Sequence, residues 1–528
     1  MTGFKRRLKV GFEGIELAFD KAFTPAWNPF YFLGALGYFF YWIVAVTGIY
    51  LYIFMDTDVG GAYQSIEHIT HVQWYAGGVM RSLHRYASDA LVVVMMLHLL
   101  REFALDRYRG ARWFSWFTGV PIIWFVFASG ISGYWLVWDR LAQYIALVTT
   151  EWFDVLDIFG EPIARNFLNE AALSGRFFTL MVFIHIFVPL FLLFVMWIHL
   201  QRMSRAKINP PRGLALGTLA SLLVLSFLYP ALSQGPADLN TVPTVVGLDW
   251  FYLAAYPLTD MVPGLWIWAG FALVTVLLVW MPWLPPQRRA GAAVVNLDHC
   301  NGCARCVADC PFNAITMTPR SDGKPFAQEA KVEARLCVAC GICVGACPPS
   351  TPFRRTQGLA TGIDLPEFSL RALRDATHAA AEGLTGPGRV LVFGCQQGPD
   401  LDVLRDGGVG VVRLPCTAML APSFIDYIIS RDLAEGVMLV GCREGDCHDR
   451  QGIDWMEARI AGERDPHLRR RVPRERLARS WAGLVPADKP RTDLGALRAR
   501  LTELGPYLLS PPPERPREPA LDPVAGHD

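Results

Sequence analysis

Two apolar stretches, RSLHRYASDALVVVMMLHLLR and FFTLMVFIHIFVPLFLLFVMWIHLQR, limit what this chain can fold into more than any other feature. The first holds His84 and His98, the second His185 and His199, and each pair is 14 residues apart. In a helix that separation is close to four turns, so both imidazoles leave one face, ~21 Å apart along the axis at ~1.5 Å per residue. Such a span fits within a hydrocarbon core of ~30 Å. A single histidine in an apolar helix is ordinarily a packed residue with a satisfied ring. Four in lipid-spanning segments, paired at one spacing, are costly to bury and point to function. Facing each other, the two helices offer two imidazole pairs, one toward each membrane face, and a bis-histidine haem takes one pair. Gly34 and Gly48 repeat the spacing in an earlier apolar stretch, and Gly119 and Gly133 in another. Glycine there lets a bulky planar group approach the backbone.

Of the 528 residues, 52% are hydrophobic; apolar blocks fill the chain up to Pro285, and charged, Pro/Gly-rich sequence follows. Six stretches are expected to span a membrane: Tyr31–Phe54, Gly78–Arg101, Phe114–Trp138, Phe177–Leu200, Leu214–Leu232 and Pro263–Trp283. One set of flanks collects Lys5, Arg6, Arg7, Lys9, then Arg101, Arg107, Arg109, Arg112, then Arg202, Arg205, Lys207, Arg212, and finally Arg288 and Arg289, whereas Leu232–Val262 has no Lys or Arg. The positive-inside rule then predicts a multi-pass protein of the bacterial inner membrane with both termini cytoplasmic. His98 and His199 fall near the cytoplasm, His84 and His185 near the positive side. No cleavable leader is expected, because Lys5-Arg6-Arg7 enters an amphipathic stretch. Phe4, Leu8, Phe12, Ile15 and Phe19 share one helical face, predicting a helix over 1–26 that lies on the lipid surface. The net charge of +1, with no basic patch among aromatics, gives no sign of a nucleic-acid partner.

RSLHR, the two histidine pairs and GYWLVWD resemble the cytochrome b subunit of quinol–cytochrome c oxidoreductases and its photosynthetic counterpart, from about Trp27 to Pro285. The resemblance implies a four-helix di-haem domain over 27–212, then two further transmembrane helices with a quinol-site-like loop over 213–285. It implies that His84 and His185 hold one haem b and His98 and His199 a second, with Arg81 and Arg85 as partners for haem propionates. PADLNTVPTVVGLDWFYLAAYP is similar to the loop that carries Pro-Glu-Trp-Tyr at the family's positive-side quinol-oxidising site. Here the motif reads Leu248-Asp249-Trp250-Phe251. Asp249 is therefore the candidate proton acceptor, with a shorter reach than the family's glutamate, and Tyr134 is a second catalytic candidate. A solvated loop acid is the plain alternative for Asp249. Val137 stands where the family usually has proline. Phe32 stands where photosynthetic members tether an extra haem through cysteine, so that haem is expected to be absent. Family members are dimers, which implies a homodimer.

Past the last apolar stretch, NLDHCNGCARCVADCPFNAI is followed by ARLCVACGICVGACPP. Both are C-x2-C-x2-C-x3-C-P runs, the spacing of bacterial two-cluster ferredoxins, in which the fourth cysteine crosses to the partner cluster. One [4Fe–4S] cluster is assigned to Cys300, Cys303, Cys306 and Cys347, and a second to Cys337, Cys340, Cys343 and Cys310, within a ferredoxin-like domain over 294–356. Disulfides are disfavoured on a cytoplasmic side, and a zinc ribbon would not repeat the four-cysteine run.

Over 360–505 the sequence turns soluble and α/β. RVLVFG, VGVVRLP and GVMLVG read as short buried strands, with a helix over Pro422–Leu433 between two of them. Cys395, Cys416 and Cys442 follow these runs, and Cys447 comes shortly after. Cysteines at the carboxyl ends of parallel strands converge where such sheets bind ligands. GCREGDCHDR resembles the small iron–sulfur subunit that couples a hydrogenase to heterodisulfide reductase in methanogens, over about Arg389–Arg459. The resemblance implies one [2Fe–2S] cluster, with Cys395, Cys416, Cys442 and Cys447 as ligands, His448 as an alternative ligand, and buried free thiols as the competing account. The Pro-rich segment 506–528 is expected to be a disordered tail.

The assembled expectation is a multi-domain oxidoreductase subunit. An all-α transmembrane bundle is followed by a ferredoxin-like domain and an α/β domain. It would link a cytoplasmic flavoprotein or NAD(P)H-linked partner to the quinone pool through its clusters and two haems. The α/β domain is expected outermost and the ferredoxin-like domain against the membrane, held by the short linker Leu284–Ala293. A second reading is quinol oxidation with a Rieske protein and cytochrome c, diverting low-potential electrons to the ferredoxin-like domain. A third is a redox scaffold without an active quinone site.

Overall fold

In lipid an apolar segment must satisfy its own backbone polar groups, and a helix does so within the segment. The computed structural model, which describes residues 3–158, 162–163, 175–201, 203, 205–286, 290–354 and 359–507, accordingly opens with helices. These are α1 (Gly3–Trp27), α2 (Leu33–Phe54), α3 (Val79–Ala104), α4 (Trp113–Trp135), α5 (Arg140–Asp154), α6 (Gly175–Leu200), α7 (Arg212–Leu228) and α8 (Gly264–Trp280). Among the described residues, four segments are long and apolar enough to cross a membrane: Pro29–Phe54, Trp113–Trp135, Phe178–Leu200 and Gly264–Trp283. Of the two others expected to span, α3 has 26 residues but carries Arg81, Arg85, Asp89, Arg101 and Glu102, and α7 has only 17 residues. α2 packs along α3, and α4 along α6, so each histidine helix lies beside a glycine helix.

The amphipathic helix α1 sits with its charged side inward. Lys5, Glu13 and Glu16 are buried, while Phe4, Val10, Ile15 and Phe23 are exposed. That leaves an apolar face free for a lipid surface. α5 was not evident from hydropathy; Asp139 of GYWLVWD caps it, accepting from the Ala142 amide at 2.8 Å.

The cysteine-bearing half contains β1 (Val294–Val295), β2 (Ile315–Pro319), β3 (Gln328–Val332), β4 (Ile363–Asp364), β5 (Val390–Cys395), β6 (Val409–Leu414), β7 (Gly436–Gly441) and β8 (Leu477–Trp481). β1 pairs with β4, and β2 with β3, both antiparallel. The other four strands form one parallel sheet in the order β6-β5-β7-β8. The three expected apolar runs are its first three strands. β8 escaped notice because LARSW is neither uniformly apolar nor strictly alternating. The expected helix over Pro422–Leu433 ends at Ser430.

One hydrophobic core runs through the ferredoxin-like region and the parallel sheet, joining Ile315, Ala330 and Val344 to Leu391, Phe393 and Leu439. The two regions expected as separate domains therefore share their interior. Of the expected tail, Tyr507 donates to the Arg471 carbonyl at 3.1 Å. Residues 508–528, Arg202, Arg288 and Arg289 lie outside the described residues.

Candidate metal centres

Each of the four histidines lies against one of the four glycines. A Cβ built at Gly48 would fall 3.0 Å from His84 Cε1, and one at Gly133 would fall 2.8 Å from His185 Cε1. The corresponding distances are 3.3 Å from Gly119 to His199 and 3.7 Å from Gly34 to His98. The glycines thus admit imidazole rings to the helix backbone. At three positions the ring's Nδ1 is also held. His84 Nδ1 meets the Val44 carbonyl at 3.0 Å and Thr47 Oγ1 at 3.2 Å. His185 Nδ1 meets the Ser129 carbonyl at 3.0 Å and Ser132 Oγ at 3.2 Å. His199 Nδ1 meets Thr118 Oγ1 at 3.2 Å, and this ring also bonds the Ser115 backbone. A metal-bound histidine commonly gives its second nitrogen to a carbonyl, which fixes the ring and leaves the other nitrogen for the metal.

Two imidazoles on opposite sides of one metal, at about 2 Å per bond, have ring centres about 6 Å apart. His84 and His185 have ring centres 6.3 Å apart. The donor set and the glycine cradle therefore fit a bis-histidine haem. The supporting hydroxyls went unrecognised in the sequence, although a signal was present. Thr47, Thr118 and Ser132 each directly precede a glycine, whereas Leu33 precedes Gly34.

Beside His84, the arginines expected to serve haem propionates have protein partners. Arg81 donates to Thr70 Oγ1 and to Ser233 Oγ at 2.8 Å, with Glu67 at 3.7 Å. Arg85 donates to Asp249 Oδ2 at 2.7 Å and to Asp89 Oδ2 at 3.1 Å, and lies over the Tyr134 ring at 4.6 Å. Asp249 Oδ1 accepts from the Phe251 and Tyr252 amides at 2.7 and 2.8 Å. Asp249 is thus anchored at both oxygens rather than being a free loop acid. The Tyr134 hydroxyl is buried without a hydrogen-bond partner among the described residues. The Tyr252 hydroxyl lies 2.6 Å from Ser88 Oγ, and its ring fills the space beside Gly130.

In the ferredoxin-like region, Cys300, Cys303, Cys306 and Cys347 line one cavity, together with Gly302 and Gly362. Two short helices, α9 (Arg305–Asp309) and α10 (Ile342–Ala346), start after left-handed residues at Ala304 (φ 59°) and Gly341 (φ 77°). Each carries the third cysteine of its run, and the fourth follows directly as Cys310 or Cys347. Burial first, and neighbouring cysteines second, push the Cys306 thiol up to about 12. Burial, then Cys337 and Cys310, raises Cys343 well above the ordinary range, and Cys306, Cys310, Cys337 and Cys343 pack into one core. Crowded buried thiols are poor acids alone, and a coordinated cation reverses that cost by binding them as thiolates. Burial, then Asp449, Cys343 and Cys416, raises Cys340, which packs against Cys416 of the third cysteine group.

That third group sits at the carboxyl ends of β5, β6 and β7. Cys395 Sγ lies 3.8 Å from Cys442 Sγ. Two sulfurs on one tetrahedral metal at about 2.3 Å per bond would be about 3.8 Å apart. Cys416 and Cys447 are also in side-chain contact, and Cys447 reaches Cys442 as well. Gly452 is required here, since a Cβ would fall 2.4 Å from Cys416 Sγ. His448 instead meets its neighbour Asp449 at 3.2 Å.

Arg459, fully buried, ties the sulfur sites together. It pairs with Asp309 beside Cys310 at 2.5 Å and donates to the Ala418 carbonyl beyond Cys416 at 2.7 Å. It also reaches the Ile342 carbonyl next to Cys343 at 3.4 Å. Arg459 has no local signature, because its partners lie far away along the chain. The structure also changes the expected order. It is the loop Cys442–Arg450, rather than the ferredoxin-like region alone, that meets the haem helices: Asp446 pairs with Arg101 and Arg107 at 2.8 and 2.6 Å.

Comparison with known proteins gives three matches along the chain. Residues 18–207 match the family described as cytochrome b/b6/petB, residues 299–351 a 4Fe-4S dicluster domain, and residues 405–505 the delta subunit of methyl-viologen-reducing hydrogenase. The cytochrome b6 of Porphyra purpurea is 27% identical over 210 residues, covering 39% of this chain and 96% of that protein. A solved structure titled hyperthermophilic respiratory Complex III aligns over 48% of this chain and 75% of its own, at 20% identity and a TM-score of 0.40.

Proposed function

We propose that this chain, which joins cytochrome b, 4Fe-4S dicluster and hydrogenase delta-subunit domains in one membrane electron-transfer subunit, carries electrons between a cytoplasmic redox partner and the quinone pool. A cytochrome b domain implies haem b, and a dicluster domain implies 4Fe-4S clusters, both one-electron carriers when bound. His84 with His185, and His98 with His199, would hold the haems. The eight cysteines of the two ferredoxin runs would hold the 4Fe-4S clusters, and Cys395, Cys416, Cys442 and Cys447 a [2Fe–2S] cluster. We assign α3 and α7 as the fifth and sixth spans, with the sulfur-bearing half on the cytoplasmic side and the chain a homodimer. A flavoprotein or NAD(P)H-linked subunit is the partner this reading calls for.

The observation that carries the reading is contiguity. Cys303 is exposed, Cys306 shares a core with Cys343, Cys340 packs on Cys416, and the loop bearing Cys442 and Cys447 touches the helix of His98. Nothing else in the described residues offers a competing chemistry of similar definition. Quinone reduction is the favoured direction. Ferredoxin-type clusters extend to about −700 mV, and an electron crossing toward the positive side gains ~2.3 kcal/mol per 100 mV. The fixed carboxylate of Asp249 argues against the quinol-oxidising alternative with a Rieske protein and cytochrome c.

A redox titration of the purified protein tests this, following haem by absorbance and clusters by EPR. Two b haems per chain with clusters well below them are expected. Clusters at or above the haem potentials would reverse the direction, and absence of haem would overturn the reading of the histidines.

A further inference from the structure

The loop Cys442–Arg450 meets three separate parts of the helical half. From α3 comes Arg101, three residues beyond His98, which pairs with Asp446 at 2.8 Å and donates to Glu16 of α1 at 2.7 Å. From the turn after α3 comes Arg107, donating to the Asp446 side chain at 2.6 Å and to its carbonyl at 3.0 Å. From the loop itself, Arg443 donates to Glu16 Oε2 at 3.1 Å and to the Glu13 carbonyl at 3.0 Å. Glu13 in turn accepts from the Val485 amide at 3.0 Å. Gly445 is held at φ +77°, where a Cβ would lie 3.0 Å from the Tyr31 ring.

Glu16 is fully buried, and Arg101 retains only 4% of its exposure. Removing such charges from water is costly unless each is matched. Here each carboxylate meets a guanidinium from a different segment, so the network is satisfied in only one relative placement of the two halves. Buried ion pairs are best attested as devices that fix register rather than as sources of stability. Asp446 lies between Cys442 and Cys447, and Arg101 on the helix of His98.

We propose that Asp446, with Arg101, Arg107, Glu16 and Arg443, forms a docking joint that registers the Cys442–Cys447 loop on the helix of His98. The four-cysteine group of the parallel sheet is then the inner face of the soluble half, and the exposed Cys303 region its outer face. This makes Asp446 a positioning residue. The joint deepens the electron-carrying reading, but its geometry does not depend on any cofactor.

Hydrogen exchange on the full-length protein in nanodiscs tests it. In the unmodified chain, amides of residues 9–20 and 442–450 should both be strongly protected. Asp446→Asn should leave haem and iron per chain unchanged, speed exchange in both segments at least tenfold, and weaken the relaxation of the cluster EPR signal by haem. Asp446→Glu should restore part of the protection. Free-peptide exchange of either segment in the unmodified chain would overturn the joint, even if the variant fails to fold. Unchanged exchange in Asp446→Asn would overturn it too, as would loss of iron with residues 9–20 still protected. A negative redox titration with intact protection would sink the electron-carrying reading alone.

Discussion

The two histidine pairs share one spacing and sit in different surroundings. At His84 and His185 the glycines are tight, with ring carbons 3.0 and 2.8 Å from a built Cβ; at His98 and His199 the distances are 3.7 and 3.3 Å. Their neighbours differ as well. Arg81 and Arg85, beside the first pair, are satisfied within the bundle by Ser233 and Asp249. Arg101, beside the second, takes its partners from α1 and from a loop of the parallel sheet. Spacing places the ligands. The charged groups at each end differ in origin: those beside the first pair are met from within the helical half, those beside the second also from a loop of the parallel sheet.

The largest expected effect separates the pairs outright. His84→Leu and His98→Leu should each remove one of two haems per chain, measured by pyridine haemochrome absorbance. Loss of both haems in either variant would show that the pairs are not independent sites. A finer test uses the glycines. Gly133→Ala forces the His185 ring to move, an overpacking cost of about 1–3 kcal/mol, or roughly a ten- to hundredfold loss of haem affinity. Gly34→Ala meets only ordinary contact and should keep full haem content.

Beside the first pair, Asp249→Asn removes a charge partner of Arg85 and should lower thermal stability by about 1–3 kcal/mol, while any quinol oxidation changes little. A fall of a hundredfold or more, the usual scale for losing a proton-transfer group, would restore the catalytic assignment of Asp249. The smallest effect is the pH response of the opposite end. Burial pushes the Asp446 carboxyl up, but Arg101 and Arg107 more than reverse this and hold it below the usual range. Its contribution is then complete above the ordinary aspartate value and lost only as pH falls through the lower, folded one. Protection of residues 9–20, taken against free-peptide exchange at the same pH, should be flat from about pH 5 to pH 8 and fall only below about pH 4. A loss of protection anywhere between about pH 5 and pH 8 would show that Asp446 does not set this response.

Much of the histidine geometry is legible because helical periodicity converts a spacing directly into a face. Even so, the glycines were read as room for a planar group, whereas they first admit the imidazoles themselves. The hydroxyls of Thr47, Thr118 and Ser132 hold three of those rings and were overlooked, since a Thr-Gly or Ser-Gly dipeptide is unremarkable without its facing ring. Asp249 stands out by its motif position, but the Arg85 that anchors it lies 164 residues away. β8 was missed for a different reason: its residues face both polar and apolar neighbours, and no alternation survives.

By itself the sequence determined the local devices: which helices carry ligands, which cysteines form a run, and which apolar stretches become strands. Each of these follows from spacing within a few turns or a few residues, where backbone geometry leaves little choice. Only the tertiary structure decided their order in space. Arg107 and Asp446 are 339 residues apart, and Arg459 and Asp309 are 150 apart. Neither pair has a local signature, because a charge in sequence says that a partner is needed when it is buried, and only the packed chain says which one.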